Sequence, residues 1–369
     1  MHRRSLLLAS LLAPPAWAQN QALVPAAAPT AFRLEEAASF GHQVTGVACA
    51  PDGRVFVNFP RWTEDAPVSV AEVMKDGTLK PYPDDKWNDW RNAKAATLKA
   101  ADHFVCVQSV VCDGRGNLWV LDPAAPGIDE VVVEGPKLVR IDLATNKVAQ
   151  VIRFGEDIAL QGSYLNDVRF HSDGQTAFIT DSGARGSIVV VNLVTGRAHS
   201  RLDGHPGTQP DKSVEVAPNG KKLQRPDGRG FMVAADGIAL SGDGKTLFWQ
   251  PLTGRTLYRI ESRLLIHDDP DEAGRKVEKA GTSCVADGLM MSRDGVLYLT
   301  SPEDNSVKVW EGDHARTVVE DERLRWPDSL AEAPDGSIYV TASRIQDMPW
   351  FNAGAPNVLP TKLFRMVKA

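Results

Sequence analysis

Asp52-Gly53-Arg54-Val55-Phe56-Val57 is the first of six related stretches whose recurrence decides the fold. The others are Arg115-Gly116-Asn117-Leu118-Trp119-Val120, Asp173-Gly174-Gln175-Thr176-Ala177-Phe178, Asp243-Gly244-Lys245-Thr246-Leu247-Phe248, Asp294-Gly295-Val296-Leu297-Tyr298-Leu299 and Asp335-Gly336-Ser337-Ile338-Tyr339-Val340. The six glycines are about 57 residues apart on average, the signature of a repeat architecture. In each copy a short strand enters a turn where glycine tolerates positive φ. A second strand of β-branched and aromatic residues leaves the turn.

A third, alternating strand follows in most copies, as in Lys137-Leu138-Val139-Arg140-Ile141-Asp142 and Ser187-Ile188-Val189-Val190-Val191-Asn192. No long segment of helical period interrupts the pattern. Six antiparallel modules of this size predict an all-β fold, a six-bladed β-propeller in which neighbouring blades bury both faces of each sheet. The last copy lacks an outer strand after residues 362–367, and the stretch beginning Phe32-Arg33-Leu34-Glu35-Glu36 is expected to supply it and close the ring. Two insertions, 81–102 and 205–230, are expected as loops, with one channel mouth as their candidate place.

Outside the repeats, residues 1–18 carry the marks of a signal peptide. His2, Arg3 and Arg4 precede a short apolar run ending at Leu12, and Ala16-Trp17-Ala18 offers small residues for cleavage. That run is too short to span ~30 Å of hydrocarbon. Arg3-Arg4 followed by Ser5-Leu6-Leu7 also matches a twin-arginine address. The expected organisation is therefore a signal peptide at 1–18, a linker at 19–31 and one propeller over 32–369, secreted or periplasmic, without membrane insertion once the leader is cleaved.

The net charge is −6, and loss of Arg3 and Arg4 makes the remainder more acidic. Such a chain has no basic field for phosphate backbones, so nucleic acid is excluded as a partner and a small-molecule ligand is expected. Oligomeric state is not legible. Cys49, Cys106, Cys112 and Cys284 form no CxxC pair. Cys106 and Cys112, six residues apart in one extended segment, are about 20 Å apart and cannot bridge each other. The chain contains no GxSxG elbow, HExxH helix, Walker loop or dinucleotide fingerprint.

Eight residues before the repeat glycines stand Thr45, Gln108, Asn166, Asp236, Asp287 and Asp328. All six are polar, although each opens a largely apolar strand. First strands line the axis of a propeller, so these positions should converge on one channel mouth. Gly46, Gly237 and Gly288 beside them would let backbones approach closely. Three carboxylates ~7 Å apart at an effective dielectric of ~20 repel by about 2.4 kcal/mol per pair. A dry mouth therefore needs a shared proton or a bound cation. Asp and Asn oxygens without His or Cys favour Ca²⁺ or Mg²⁺. Asp before Gly also caps turns, so three readings stand: turn capping, a divalent cation, or a polar ligand site without metal. Trp62, Trp119, Trp249, Trp310 and Trp326 are expected in packing between blades, and Trp350 and Phe351 as an aromatic wall for a ligand.

Several of these stretches resemble the yellow/major royal jelly protein family. They are Val44-Thr45-Gly46-Val47, Phe56-Val57-Asn58-Phe59-Pro60-Arg61-Trp62 and Val107-Gln108-Ser109-Val110, with Tyr164-Leu165-Asn166-Asp167-Val168 and Asp236-Gly237-Ile238-Ala239-Leu240 further on. The likeness runs in order from about residue 32 to 368 and implies a secreted six-bladed propeller, in a family whose members include amine binders, pigment-pathway factors and nutritional proteins. A more distant resemblance is to gluconolactonase and senescence-marker lactonases, where a divalent cation is held at the channel mouth by Glu, Asn and Asp. It implies Asn166 as a substrate-side and metal-side residue, Asp236 as a metal ligand, and Asp287 as metal ligand and general base. Gln108 and Asp328 complete the expected substrate contacts. Thr45 stands where the lactonases carry their first-blade Glu, which removes one anionic ligand. Metal-assisted hydrolysis of a lactone or similar ester is thus one expectation. The other is non-catalytic binding of a small amine or aromatic ligand, and a protein-binding rim is open to any propeller.

Overall fold

The computed structural model describes residues 31–369, apart from positions 64, 129, 268 and 353–355. The expected signal peptide and the linker up to residue 30 lie outside the described residues. Among the described residues, strands assemble into six four-stranded sheets, each antiparallel throughout. The inner strands of blades one to six are Val47–Cys49, Ser109–Cys112, Leu165–Phe170, Ala235–Leu240, Leu289–Met291 and Pro327–Glu332. Each packs against the inner strand of the next blade, and the sixth packs against the first. The fold is a six-bladed β-propeller.

All six repeat glycines adopt positive φ, from 71° at Gly174 to 87° at Gly53. The repeat therefore reflects one backbone requirement, a turn that L side chains resist. Closure also follows the expectation. Phe32–Phe40 pairs with Thr361–Lys368 in the sixth blade, from Phe32 opposite Lys368 to Phe40 opposite Thr361. A strand from one end of the described chain thus completes a sheet begun at the other and removes an open edge.

The apolar core lies in the seams between blades. Between the second and third blades, Leu121 and Leu138 pack with Val168, Ile179 and Val189. Between the fifth and sixth, Tyr298 and Val307 meet Leu330, Val340 and Phe364. Burying both faces of each sheet explains why second strands such as Asn117–Asp122 and Thr176–Asp181 are buried almost throughout. Trp119 stacks on Phe170 across a seam, with ring centroids 4.9 Å apart, which agrees with the packing role expected for it. No described helix is long and apolar enough to cross a membrane.

Candidate functional site

All six residues eight positions before the repeat glycines are buried around one mouth of the axis. The close approach predicted for their glycine neighbours is present. A Cβ on Gly237 would collide with Asp287 O, one on Gly288 with Asp328 O, and one on Gly46 with Asn58 Oδ1. Glycine at these positions brings the strand starts, and with them the side chains, into mutual contact.

The contacts are unequal around the ring. Asn166 Nδ2 donates to Asp236 Oδ1 at 2.7 Å. The Asp236 and Asp287 carboxyl groups meet, and each bears on the ionisation of the other, so the pair needs a proton or a counter-charge between them. Trp326 Nε1 donates to Asp287 Oδ2 at 2.6 Å. Asn166, Asp236, Asp287 and Trp326 therefore form one connected chain across four blades. Asp328 takes a hydrogen bond from Ser329 Oγ at 3.1 Å, and its Oδ2 is buried without a hydrogen-bond partner.

Gln108 belongs to a second chain. Trp62 Nε1 donates to Tyr164 Oη at 2.6 Å, and Tyr164 Oη donates to Gln108 Oε1 at 2.8 Å. Thr45 points to neither carboxyl. It donates to Gln108 O at 3.2 Å and accepts from Asn58 Nδ2 at 2.8 Å. Among the described residues, no group of three or more His, Cys, Asp or Glu side chains is arranged to hold a metal ion.

Burial dominates the electrostatics. Asp236 is held well above the usual carboxylate range by burial, then by the charges of Asp287 and Asp328. Asp328 is raised in the same way, by burial and then by Asp287. Burial lifts Asp287 to about 6, opposed by the hydrogen bonds from Trp326 and Asp236. A carboxyl raised on folding stabilises the fold fully below its unfolded value and loses that contribution as pH rises through the folded value. For Asp287 the window runs from 3.8 to about 6, worth on the order of 3 kcal/mol. We expect chelator-treated protein to be less stable at pH 8 than at pH 5. About half of that contribution is already lost by pH 5, so Asp287→Asn should remove about 1.5 kcal/mol of the difference, as read from denaturant midpoints.

The mouth is roofed. Val216 and Leu223 from the 205–230 insertion pack with Trp326, Ile345 and Met348, and with the partly buried Trp62, Phe231, Trp350 and Phe351. Phe231 stands edge-on to Trp326 at 5.9 Å and to Phe351 at 5.5 Å, and Trp62 lies 5.4 Å from Trp350. Trp62 and Trp326 thus serve the mouth itself, and the expected role in packing between blades does not describe them. The reason is positional. Tyr164 and Trp326 stand ten residues before their repeat glycines, immediately ahead of the strands that carry Asn166 and Asp328. Counting back ten as well as eight would have found them. The 81–102 insertion places Trp90 and Ala100 against Val105, Cys106 and Ala124, in a cluster that Trp62 borders.

Below the ring the axis is plugged. Ser109 Oγ donates to Asp167 Oδ1 at 2.7 Å, and Asp167 Oδ2 pairs with Arg169 Nη2 at 2.8 Å. The same Nη2 donates to Leu289 O at 2.6 Å, and Nη1 donates to Val168 O at 2.7 Å.

Solved propellers share this architecture. One is a gluconolactonase of Xanthomonas campestris, 13% identical, covering 91% of this chain and 89% of that one with a TM-score of 0.56. Another is the calcium-binding protein regucalcin of Agrobacterium tumefaciens, 16% identical over 92% and 96% with a TM-score of 0.52. At such identity the likeness is one of fold. In sequence, the chain is 22% identical to major royal jelly protein 5 of Apis mellifera over 314 residues, 81% of this chain and 48% of that protein. It is also 22% identical to the protein yellow of Drosophila melanogaster over 325 residues, 79% of this chain and 57% of that protein. The chain thus spans about half the length of these curated relatives. The family model described as major royal jelly protein matches residues 105–354, more than half of the sequence, and the chain belongs to that family.

Proposed function

We propose that this chain is an exported hydrolase that opens a lactone or similar small ester at the roofed mouth. The observation that carries the reading is the buried Asp236–Asp287 carboxyl contact, flanked by Asn166 and Trp326. Two buried carboxylates cannot both ionise without a counter-charge, so the pair holds either a proton or a cation. The donor set suits a hard cation, Ca²⁺ or Mg²⁺, held by Asp236 and Asp287 with the amide oxygen of a turned Asn166. The unpartnered Asp328 Oδ2 adds negative potential beside them. Names among the fold neighbours, a gluconolactonase and a calcium-binding regucalcin, support the same chemistry.

A bound divalent cation supplies polarisation of the ester carbonyl and a lowered pKa for water. The side chains do the rest. Asp287 takes the proton from the attacking water, and Trp326 Nε1 fixes its carboxyl through Oδ2. Asn166 orients the substrate carbonyl, while Gln108, fixed by Tyr164, and Asp328 contact the substrate. Val216, Leu223 and Phe231 exclude water and strengthen every charge interaction beneath them. Substrate entry therefore requires the 205–230 segment to lift.

A second reading rests on the aromatic roof. An ammonium group held between Asp287 and Asp328, with Phe231, Phe351 and Trp350 against its ring, would make the mouth a binding site for small amines. Elemental analysis of protein purified without chelator, followed by assay on a lactone panel, separates the two. Hydrolysis predicts about one equivalent of Ca²⁺ or Mg²⁺ and turnover that EDTA removes and the ion restores. Metal-free protein without turnover, which nevertheless binds amines, would overturn it.

A further inference from the structure

At the opposite end of the axis the inner strands diverge around a cavity of about 520 Å³. Its walls are Val47, Val110, Leu240, Met291 and Leu330, with the half-buried thiols of Cys49 and Cys112 from adjacent blades. The size falls within the range of small-molecule pockets, and a mostly apolar wall with few polar groups is their usual chemistry. Burial pushes the Cys49 thiol up to about 12 and raises Cys112 as well, so both remain neutral and add to the apolar surface.

The charged groups are asymmetric. Arg169 reaches the cavity as its floor, whereas its partner Asp167 weighs on Asp236, Asp287 and Asp328 at the ring side. Arginine has five N–H donors. Those of Arg169 engage Val168 O, Leu289 O and Asp167, which leaves Nε and one Nη1 hydrogen without a protein bond among these contacts. At the rim Arg293 pairs with Glu332 at 3.1 Å, and both line the cavity, so the net positive charge is at Arg169's end. The cavity therefore combines an apolar wall with a cationic floor.

We propose that this far mouth is a second ligand site, taking a small apolar carboxylic acid whose carboxylate meets Arg169 and whose body lies against Val47, Val110 and Leu240. The Arg169–Asp167 plug separates it from the ring, so the site stands whether or not the ring hydrolyses esters.

The test uses the full chain with 1-anilinonaphthalene-8-sulfonate as reporter and 4-phenylbutyrate as competitor. One reporter site per chain is expected, displaced by 4-phenylbutyrate at least tenfold more effectively than by neutral 4-phenylbutyramide. Cys112→Trp fills the cavity and should weaken both anions tenfold or more without changing turnover at the ring. Should that variant not fold, the wild type still decides, because the ratio of acid to amide displacement is read on the unsubstituted chain. Equal displacement by the amide overturns the proposal. So does reporter binding that disappears in Asp287→Asn, because that would place the ligand at the ring.

Discussion

Asp287→Asn is expected to lower turnover of a lactone panel by about a thousandfold, within the range for removal of a general base, while the protein remains folded. Asn is isosteric with Asp, and its Oδ1 still accepts from Trp326 Nε1 while its Nδ2 faces Asp236, so the hydrogen-bonded chain survives. The substitution also removes a carboxyl whose ionisation is opposed by burial, so no loss of stability is expected at neutral pH. The effect should fall on kcat, because the lost proton transfer belongs to the transition state. Asp328→Asn should cost less, since Asp328 lies beside the pair and takes its hydrogen bond from Ser329 rather than from Asn166 or Trp326. If the mouth binds amines instead, Asp287→Asn has no turnover to remove and amine affinity drops. Steady-state kinetics and amine titrations on the same two variants decide between these outcomes.

Lys137→Met is expected to destabilise the protein by about 3–5 kcal/mol, the cost of leaving a buried charge without its partner. Lys137 and Asp122 are fully buried, with Nζ 3.0 Å from Asp122 Oδ2. Nζ also donates to Ala100 O at 3.0 Å and Gly135 O at 2.6 Å. Asp122 accepts from Val105 N at 2.7 Å, and from Cys106 N and Ala124 N at 2.9 Å. This pair ties the segment entering the second blade's inner strand to that blade's next two strands. The Lys137→Met/Asp122→Asn double variant should recover part of the loss, because the stranded carboxylate is gone. Urea denaturation of the wild type and the two variants measures it; a Lys137→Met change below about 1 kcal/mol would show that water reaches the pair.

The repeat shows why the fold was so readable. Asp-Gly or Arg-Gly before an apolar run recurs six times because each hairpin makes the same demand for positive φ, a local requirement that leaves a local mark. Closure was legible for a related reason, since the alternating Phe32–Phe40 strand has no partner within its own neighbourhood. The ring was legible as a set of positions, because polar residues heading apolar strands are conspicuous. Which of its members touch was not. Thr45 and Asp287 occupy equivalent places, yet one turns to Asn58 and the other joins Asp236.

The tryptophans show the same limit. Trp119 and Trp326 both sit in β-rich surroundings, but one stacks across a seam and the other donates to the central carboxyl. Strand alternation distinguishes two faces and does not say what lies opposite each of them.

The amino-acid order alone determined a six-bladed ring, its closing strand and the six side chains at the head of the axis, because these follow from turn geometry and period-two alternation within each repeat. Tertiary structure decided the rest: which two carboxyls meet, that Trp326 and Tyr164 brace the mouth, that the 205–230 segment roofs it, and that Arg169 divides the axis in two. Those contacts join residues 39 to more than 100 positions apart, and their geometry is set by the packing of whole blades, which no local pattern encodes.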